Sequence, residues 1–372
     1  MRYYIIAGEA SGDLHGSALM KALGRLDPDA DFRFWGGDLM QEAGGTLVRH
    51  IRKTSFMGFW EVLKNLGSIY EGIRFCKRDI ASYQPDALIL IDYPGFNLRM
   101  ARYAKNLDIR VFYYISPKVW AWNSSRVETI RKYVDHMLTI FPFETGFYER
   151  FGYRVDYVGN PLMDAIENRP FREEQFDEFT QRNNLAGKPV IAILAGSRIQ
   201  EIEKSLPLML SVTGKFPGYQ FIIAGAPSIA PEVYLKHTKN QVRILFSQTY
   251  ALLRHSAAAM VVSGTATLEA ALLDVPLVVC YRGSFLSYHI ARRFIRVRYI
   301  SLVNLIAGRE IVRELIQNDF NSANLANELD KILNDSQARK NMKNEFIHLR
   351  QLVGGPGASR KAAEKIVGYL NA

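Results

Sequence analysis

The chain has 372 residues, 48% of them hydrophobic and 23% charged, a composition that excludes a disordered, collagen-like or coiled-coil protein and suffices for two domain cores. Its only cysteines, Cys76 and Cys280, are far apart and in no metal-ligand spacing, which excludes a disulfide framework and a structural zinc module and points to a reducing compartment. The net charge is +10, with 21 Lys/Arg against 20 Asp/Glu over residues 1–168 and 26 against 17 over 169–372, so the surplus is C-terminal. The opening MRYYIIAGEASGD turns to glycine and charge after a few apolar residues and lacks the apolar stretch of a signal peptide. No apolar run reaches the roughly 18 residues that a membrane span needs.

In chain order, short apolar runs alternate with helical patterns. The predicted strands are Tyr3–Ala7, Phe32–Trp35, Ala87–Ile91, Val111–Ile115, His136–Thr139, Asp156–Val158, Val190–Leu194, Phe221–Ala224, Val242–Leu245, Ala259–Val262 and Leu277–Cys280. Several are continuously apolar, the pattern of strands covered on both faces, so the chain is expected to be α/β, with parallel sheets and crossover helices. The polar segment NRPFREEQFDEFTQRNNLAGKP at 168–189 marks a boundary. The expected organisation is an N-terminal domain over 1–167, a linker over 168–188, a C-terminal domain over 189–345 and a closing helix within 346–372.

Ligands of open parallel sheets bind at the carboxyl ends of strands, where glycine lets the backbone approach and helix N-termini offer free N–H groups. Four strand ends carry candidate chemistry. Glu9, Ser11, Gly12 and Asp13 follow the first strand, but without the GxGxxG spacing or the lysine of a P-loop; a plain structural turn is the alternative. Asp92 ends the most apolar strand of the N-terminal half, where partial burial would make it a better base; its alternative role is a helix cap. Gly196, Ser197 and Arg198 form a loop that can take phosphate oxygens, or Arg198 can form a surface ion pair with Glu201 or Glu203. Ser263, Gly264, Thr265, Ala266 and Thr267 can cradle a diphosphate at a helix start, with Glu269 one turn on, placed to accept from ribose hydroxyls. Asp27-Pro28-Asp29 spells DxD but reads as a solvated loop. The seven histidines are scattered, without HExxH or GxSxG, so no metal or serine-hydrolase site is expected.

Two surface features stand apart. Phe59, Trp60, Leu63, Leu66, Ile69 and Ile73 recur at helical spacing, as core packing or as an interfacial stripe for a bilayer edge or acyl chains. Arg282, Arg292, Arg293, Arg296, Arg298, Arg309 and Arg313 stand beside a single acid, Glu310, with aromatic residues between them. Such a stretch suits an anionic bilayer, phosphorylated substrates, nucleic acid or a solvated helix face. Nucleic acid is disfavoured, because no helix-turn-helix, RRM or OB pattern is present.

GEASGD at 8–13, MGFWEVL at 57–63, ISPKVWAW at 115–122, FPFE at 141–144, VGNPLMD at 158–164, AGSR at 195–198, SGTATLE at 263–269 and SLVNLIAGRE at 301–310 together resemble the lipid-A-disaccharide synthase family over essentially the whole chain. The resemblance implies a GT-B fold of two Rossmann-like domains facing one another across a cleft, and inverting transfer with no cofactor or metal. The implied substrates are UDP-2,3-diacylglucosamine and 2,3-diacylglucosamine 1-phosphate, and the products lipid A disaccharide 1-phosphate and UDP. Carried over residue by residue, Asp92 is the general base, Arg198 an arginine needed for activity, Glu269 and Asn304 nucleotide contacts, and Glu9, Ser11, Gly12 and Asp13 a loop facing the cleft. Many relatives carry Asp where this chain has Gly95, which leaves Asp92 alone in the base role. The implied location is cytoplasmic, peripherally attached to the anionic cytoplasmic face of a Gram-negative inner membrane, with a homodimer left open. Another UDP-sugar enzyme of the same fold, an N-acetylglucosaminyl transferase or a sugar 2-epimerase, is the alternative.

Overall fold

A computed structural model describes residues 1–53, 66–122, 125–238, 241–283 and 298–372. The chain divides into two compact units, Met1–Asp164 with Gly355–Ala372, and Ala165–Gly354.

The first unit is built on seven strands: β1 (Arg2–Ala7), β2 (Asp31–Gly36), β3 (Thr46–His50), β4 (Ala87–Ile91), β5 (Arg110–Tyr114), β6 (His136–Thr139) and β7 (Asp156–Tyr157). All pair in parallel, in the order β3-β2-β1-β4-β5-β6-β7. Every residue of ALILI in β4 is buried, because helices cover both faces. Tyr4 in β1 is buried too, and its hydroxyl is not wasted: it donates to Asp79 at 2.7 Å and accepts from the Trp35 indole at 3.1 Å. Asp79 in turn takes two bonds from Arg33, at 2.6 and 2.9 Å. This network fixes Trp35 on β2.

The second unit has six strands: β8 (Val190–Leu194), β9 (Gln220–Gly225), β10 (Arg243–Phe246), β11 (Ser256–Val262), β12 (Leu277–Tyr281) and β13 (Glu314–Ile316). They are also parallel, in the order β10-β9-β8-β11-β12-β13. In each unit the order reverses beside the first strand, between β1 and β4 and between β8 and β11. Such a reversal opens a crevice at the strands' carboxyl ends.

Two strands escape the sequence pattern. β3 is half-exposed throughout and β13 spans three residues, so neither carries the long apolar run of the central strands. The segment 168–188, expected as a linker, holds the helix Phe176–Arg182. Its Phe179 is fully buried and stacks on His255, with centroids 4.8 Å apart, inside the second unit. The end of the chain also divides differently from the expected closing segment. The helix Ser336–Val353 stays with the second unit, whereas Ala358–Asn371 completes the first. There Asp164 accepts from the backbone amides of Gly357 and of Ser359, the latter at 3.0 Å. Tyr369 lies over His136, centroids 3.6 Å apart, and donates to Asp156 at 2.9 Å.

Candidate active site

At the reversal point of the first unit, β1 runs into Gly8 and Glu9, and β4 into Asp92 and Tyr93. A Cβ on Gly8 would lie 2.3 Å from the Tyr93 ring, so only glycine lets the two strand ends approach this closely. Asp92 and Tyr93 are both left-handed, with φ of 44° and 48°, an arrangement that costs non-glycine residues energy and persists only when neighbours enforce it. The enforcement is visible. The Asp92 carbonyl oxygen accepts from the Asn97 amide at 2.8 Å and from the Tyr113 hydroxyl, while the Asp92 N–H donates to the Tyr114 carbonyl at 3.3 Å. Asn97 is fully buried.

The alternative role of Asp92 as a helix cap is overturned: the helix Pro94–Lys105 has Tyr93 at its N-cap and no side-chain cap bond. The carboxyl is left for other work. Burial pushes its pKa up, the exposed Lys118 pulls it back, Glu9 pushes it further and a Tyr93 backbone bond lowers it, leaving it at about 6. A carboxyl held near that value can take up and release a proton close to neutral pH, which suits acid–base chemistry.

The GEASGD residues divide. Glu9 is half-buried and near enough to act on Asp92, and Ser11 is exposed. Gly12 and Asp13 are buried. Asp13 accepts from the amides of Gly37 at 2.7 Å, Met40 at 3.0 Å and Leu39 at 3.1 Å, capping the helix Asp38–Ala43. Its carboxylate is committed to structure. Asp27, read from sequence as solvated, is tied to the N-terminal ammonium at 2.8 Å and the Tyr3 hydroxyl at 3.1 Å.

In the second unit, Gly196, Ser197 and Arg198 follow β8, and Ser263–Glu269 follows β11, on either side of the other reversal point. Gly196 has φ of 111°, and a Cβ there would lie 2.6 Å from Glu201. The Ser197 amide donates to Glu201 at 3.2 Å, and Arg198 pairs with the same carboxylate at 3.7 Å. Arg198 is 62% exposed, so this pair is worth at most about 1 kcal/mol and a bound diphosphate could displace it. The helix Thr265–Leu272 opens the second loop. Ser263 donates to the Ile300 carbonyl and Thr267 to that of Gly264, each at 2.8 Å; Thr265 is exposed and Ala266 half-buried. Glu269 accepts from Tyr250 at 3.3 Å, and burial raises its pKa.

Asn304 differs from its expected role. It is fully buried, its amide donates to the Val312 carbonyl at 2.9 Å and Glu314 at 3.0 Å, and its oxygen accepts from the amides of Ile311 at 2.8 Å and Val312 at 3.1 Å. All four hydrogen-bonding positions of the side chain are used, which leaves none for a nucleotide.

Sequence reasoning passed over Tyr113, Asn97 and Lys118. Asn97 stands five residues after Asp92 and Lys118 within ISPKVWAW, so the signal lay close to the motifs; Tyr113 reads like any core aromatic. Of the apolar stripe, Phe59, Trp60 and Leu63 lie outside the described residues, as do the side chains of Leu66 and Ile69. Its inner end, Ile73, packs in the core. Of the basic stretch, Arg292, Arg293 and Arg296 lie outside the described residues. Arg309 pairs with Glu345, Arg313 with Glu310 at 3.2 Å, and Arg298 lies 5.4 Å from the Tyr299 ring centre. Part of that charge is therefore neutralised within the unit.

Two Rossmann-type units, each with its loops at a reversal point, define the GT-B class of sugar-nucleotide enzymes. In solved structures, the fold resembles UDP-GlcNAc 2-epimerase from Neisseria meningitidis bound to UDP-GlcNAc (TM-score 0.69, 13% identity, 100% of both chains) and the glycotransferase of kitacinnamycin (TM-score 0.67, 12% identity, 99% of both chains). A family model described as lipid-A-disaccharide synthetase matches residues 3–366. Lipid-A-disaccharide synthase of Syntrophus aciditrophicus is 40% identical, covering 96% of this chain and 95% of that protein. The Trichlorobacter lovleyi protein of that name is 36% identical, covering 99% and 97%. The chain belongs to the lipid-A-disaccharide synthase family, glycosyltransferases of lipid A biosynthesis. Among the described residues no helix is long and apolar enough to cross a membrane.

Proposed function

We propose that this chain transfers the diacylglucosaminyl group of UDP-2,3-diacylglucosamine to the 6-hydroxyl of 2,3-diacylglucosamine 1-phosphate with inversion. The observation that carries the reading is Asp92: a carboxyl with no capping duty, held in a left-handed turn at the reversal point, with its pKa near about 6. Asp92 takes the proton of the 6-hydroxyl as that oxygen bonds to the anomeric carbon. The bond from that carbon to UDP breaks, its electron pair stays on the diphosphate, and Arg198 with the amides of the Gly196 loop and the Thr265 helix start stabilises the charge. Glu269 accepts from the ribose hydroxyls. The protein works at the anionic cytoplasmic face of the inner membrane, reached through Phe59, Trp60, Leu63, Leu66 and Ile69 and the basic stretch 282–313.

Incubation with the two acylated sugars and mass analysis of the product tests the reading. A disaccharide 1-phosphate with a β-linkage is expected. Epimerised or hydrolysed UDP-sugar without coupling would assign the chain to the alternative chemistry instead.

A further inference from the structure

Arg49 stands on β3 in register with Trp35 of β2, and its guanidinium carbon lies 5.2 Å from the centre of the Trp35 ring. Trp35 cannot retreat: it is 2% exposed and its indole nitrogen is tied to Tyr4. Gly72, on the helix Leu66–Tyr83, faces the same guanidinium. A Cβ there would come within 3.3 Å of Arg49 Nη1, so the glycine leaves the slot open. The charge has no counterpart among the described residues. Arg33 and Arg52 pair with Asp79 and Asp38, whereas half-buried Arg49 meets no carboxylate and its Nε is buried without an acceptor. A dry, unpaired cationic N–H is costly, and that cost is relieved when an anion arrives.

The place connects to the reacting end of the unit. β3, β2, β1 and β4 are consecutive in the sheet. Trp35 packs on Phe96 with centroids 5.0 Å apart, Phe96 stacks on Tyr93 at 5.5 Å, and Tyr93 follows Asp92. The positive charge reaches the Tyr93 hydroxyl, where its effect opposes that of Glu9. A sugar whose 6-hydroxyl meets Asp92 carries its anomeric substituent one ring away.

We infer that Arg49, seated on Trp35 beside Gly72, anchors the anomeric phosphate of the acceptor sugar. The inference rests on the transferase reading above and assigns it the acceptor's charged end. A guanidinium offers two parallel N–H bonds to phosphate oxygens, which a lysine ammonium cannot. Arg198 serves a different anion, the donor's diphosphate.

The test compares Arg49→Gln and Arg49→Lys with the parent as full chains. Each is given 2,3-diacylglucosamine 1-phosphate or the same sugar as a neutral methyl glycoside. Arg49→Gln is expected to raise KM for the phosphorylated acceptor about 10- to 100-fold, the range for a lost charged hydrogen bond. KM for the neutral acceptor and for the UDP-sugar should stay as in the parent, and Arg49→Lys should recover part of the loss. Equal loss for both acceptors, or loss for neither, overturns the assignment. If Arg49→Gln does not fold, the ratio of the two KM values in Arg49→Lys decides by the same rule. Calorimetry with glucosamine 1-phosphate needs no turnover: the parent should bind it at least tenfold more tightly than either variant, and equal binding overturns the anchor. A parent that binds this ligand through Arg49 yet couples neither acceptor would leave the anchor standing and sink the transferase reading.

Discussion

The Tyr113 hydroxyl on β5 donates to the carbonyl oxygen of Asp92 at the end of β4, so the proposed base is gripped through its backbone by the next strand while its carboxyl caps no helix. Tyr113→Phe keeps the ring and removes the hydroxyl, with this bond and its hydrogen bond with Asn97. It should cost about 1 kcal/mol of stability and lower turnover roughly tenfold through loosened positioning of Asp92, with UDP affinity unchanged by calorimetry. Parental turnover would show that Asn97 alone holds the turn.

The pH profile tests Asp92 directly. The base must be ionised, so kcat/KM should fall about tenfold per pH unit below about 6. Glu9→Gln removes a negative neighbour that favours the protonated form, so the limb should move to lower pH. Lys118→Ala removes the opposing cation and should move it higher. Asp92→Asn should lose roughly 10²- to 10⁴-fold in turnover with UDP binding intact.

Glu144 gives a stability prediction of the opposite kind. It is fully buried, takes bonds from the amides of Ile140 at 3.2 Å and Phe141 at 3.0 Å and from the Trp120 indole at 3.2 Å, and burial still pushes its pKa up to about 7. Between its ordinary value of 4.5 and about 7 the folded chain keeps a proton that the unfolded chain releases. Stability from this group is therefore full below that window and falls as pH rises through it. Thermal melts of Glu144→Gln should show a flatter pH dependence there than the parent.

Gly196→Ala places a side chain at φ of 111° and against Glu201. It should destabilise the second unit by about 1 kcal/mol or more and weaken UDP binding with it. Asn304→Ala, by contrast, should register as lost melting temperature, since every bond of that side chain is internal. A large drop in UDP affinity at unchanged melting temperature would restore the nucleotide role to Asn304.

The fragment 165–354 should fold and bind UDP alone, because the last helix belongs with the other unit. Extending it to residue 372 should lower solubility, since Ala362, Ala363 and Ile366 of that helix are buried against the first unit. Calorimetry and melting curves of the two fragments decide it.

The strands that form both cores were readable because their runs, such as ALILI and VIAIL, are apolar without interruption. β3 and β13 were not, because edge position and half-exposure leave mixed sequences like TLVRH. The strand-end loops were also legible, since glycine and small residues after an apolar run have few other uses. What sequence could not divide was duty within a motif. Asp13 and Glu9 sit four residues apart in GEASGD, yet only the fold shows the first bonded to three amides and the second near Asp92. Asn304 is the same case: an asparagine with four internal partners and one awaiting a ligand read identically. The crossing of the last helix back to the first unit was hidden for another reason. Its partners, Asp156 and Asp164, lie about two hundred residues upstream, beyond any local pattern.

That crossing sets an order of completion during synthesis. The second unit has all its residues once Gly354 leaves the ribosome, whereas the first, although begun earlier, lacks a helix until Ala358–Asn371 has followed. Until then the surface that receives Tyr369 and Ile366 is uncovered, and the unit carrying Asp92 and Arg49 cannot close its core. A message truncated anywhere upstream of that helix therefore yields a chain whose first unit is left open, however well its second unit has folded.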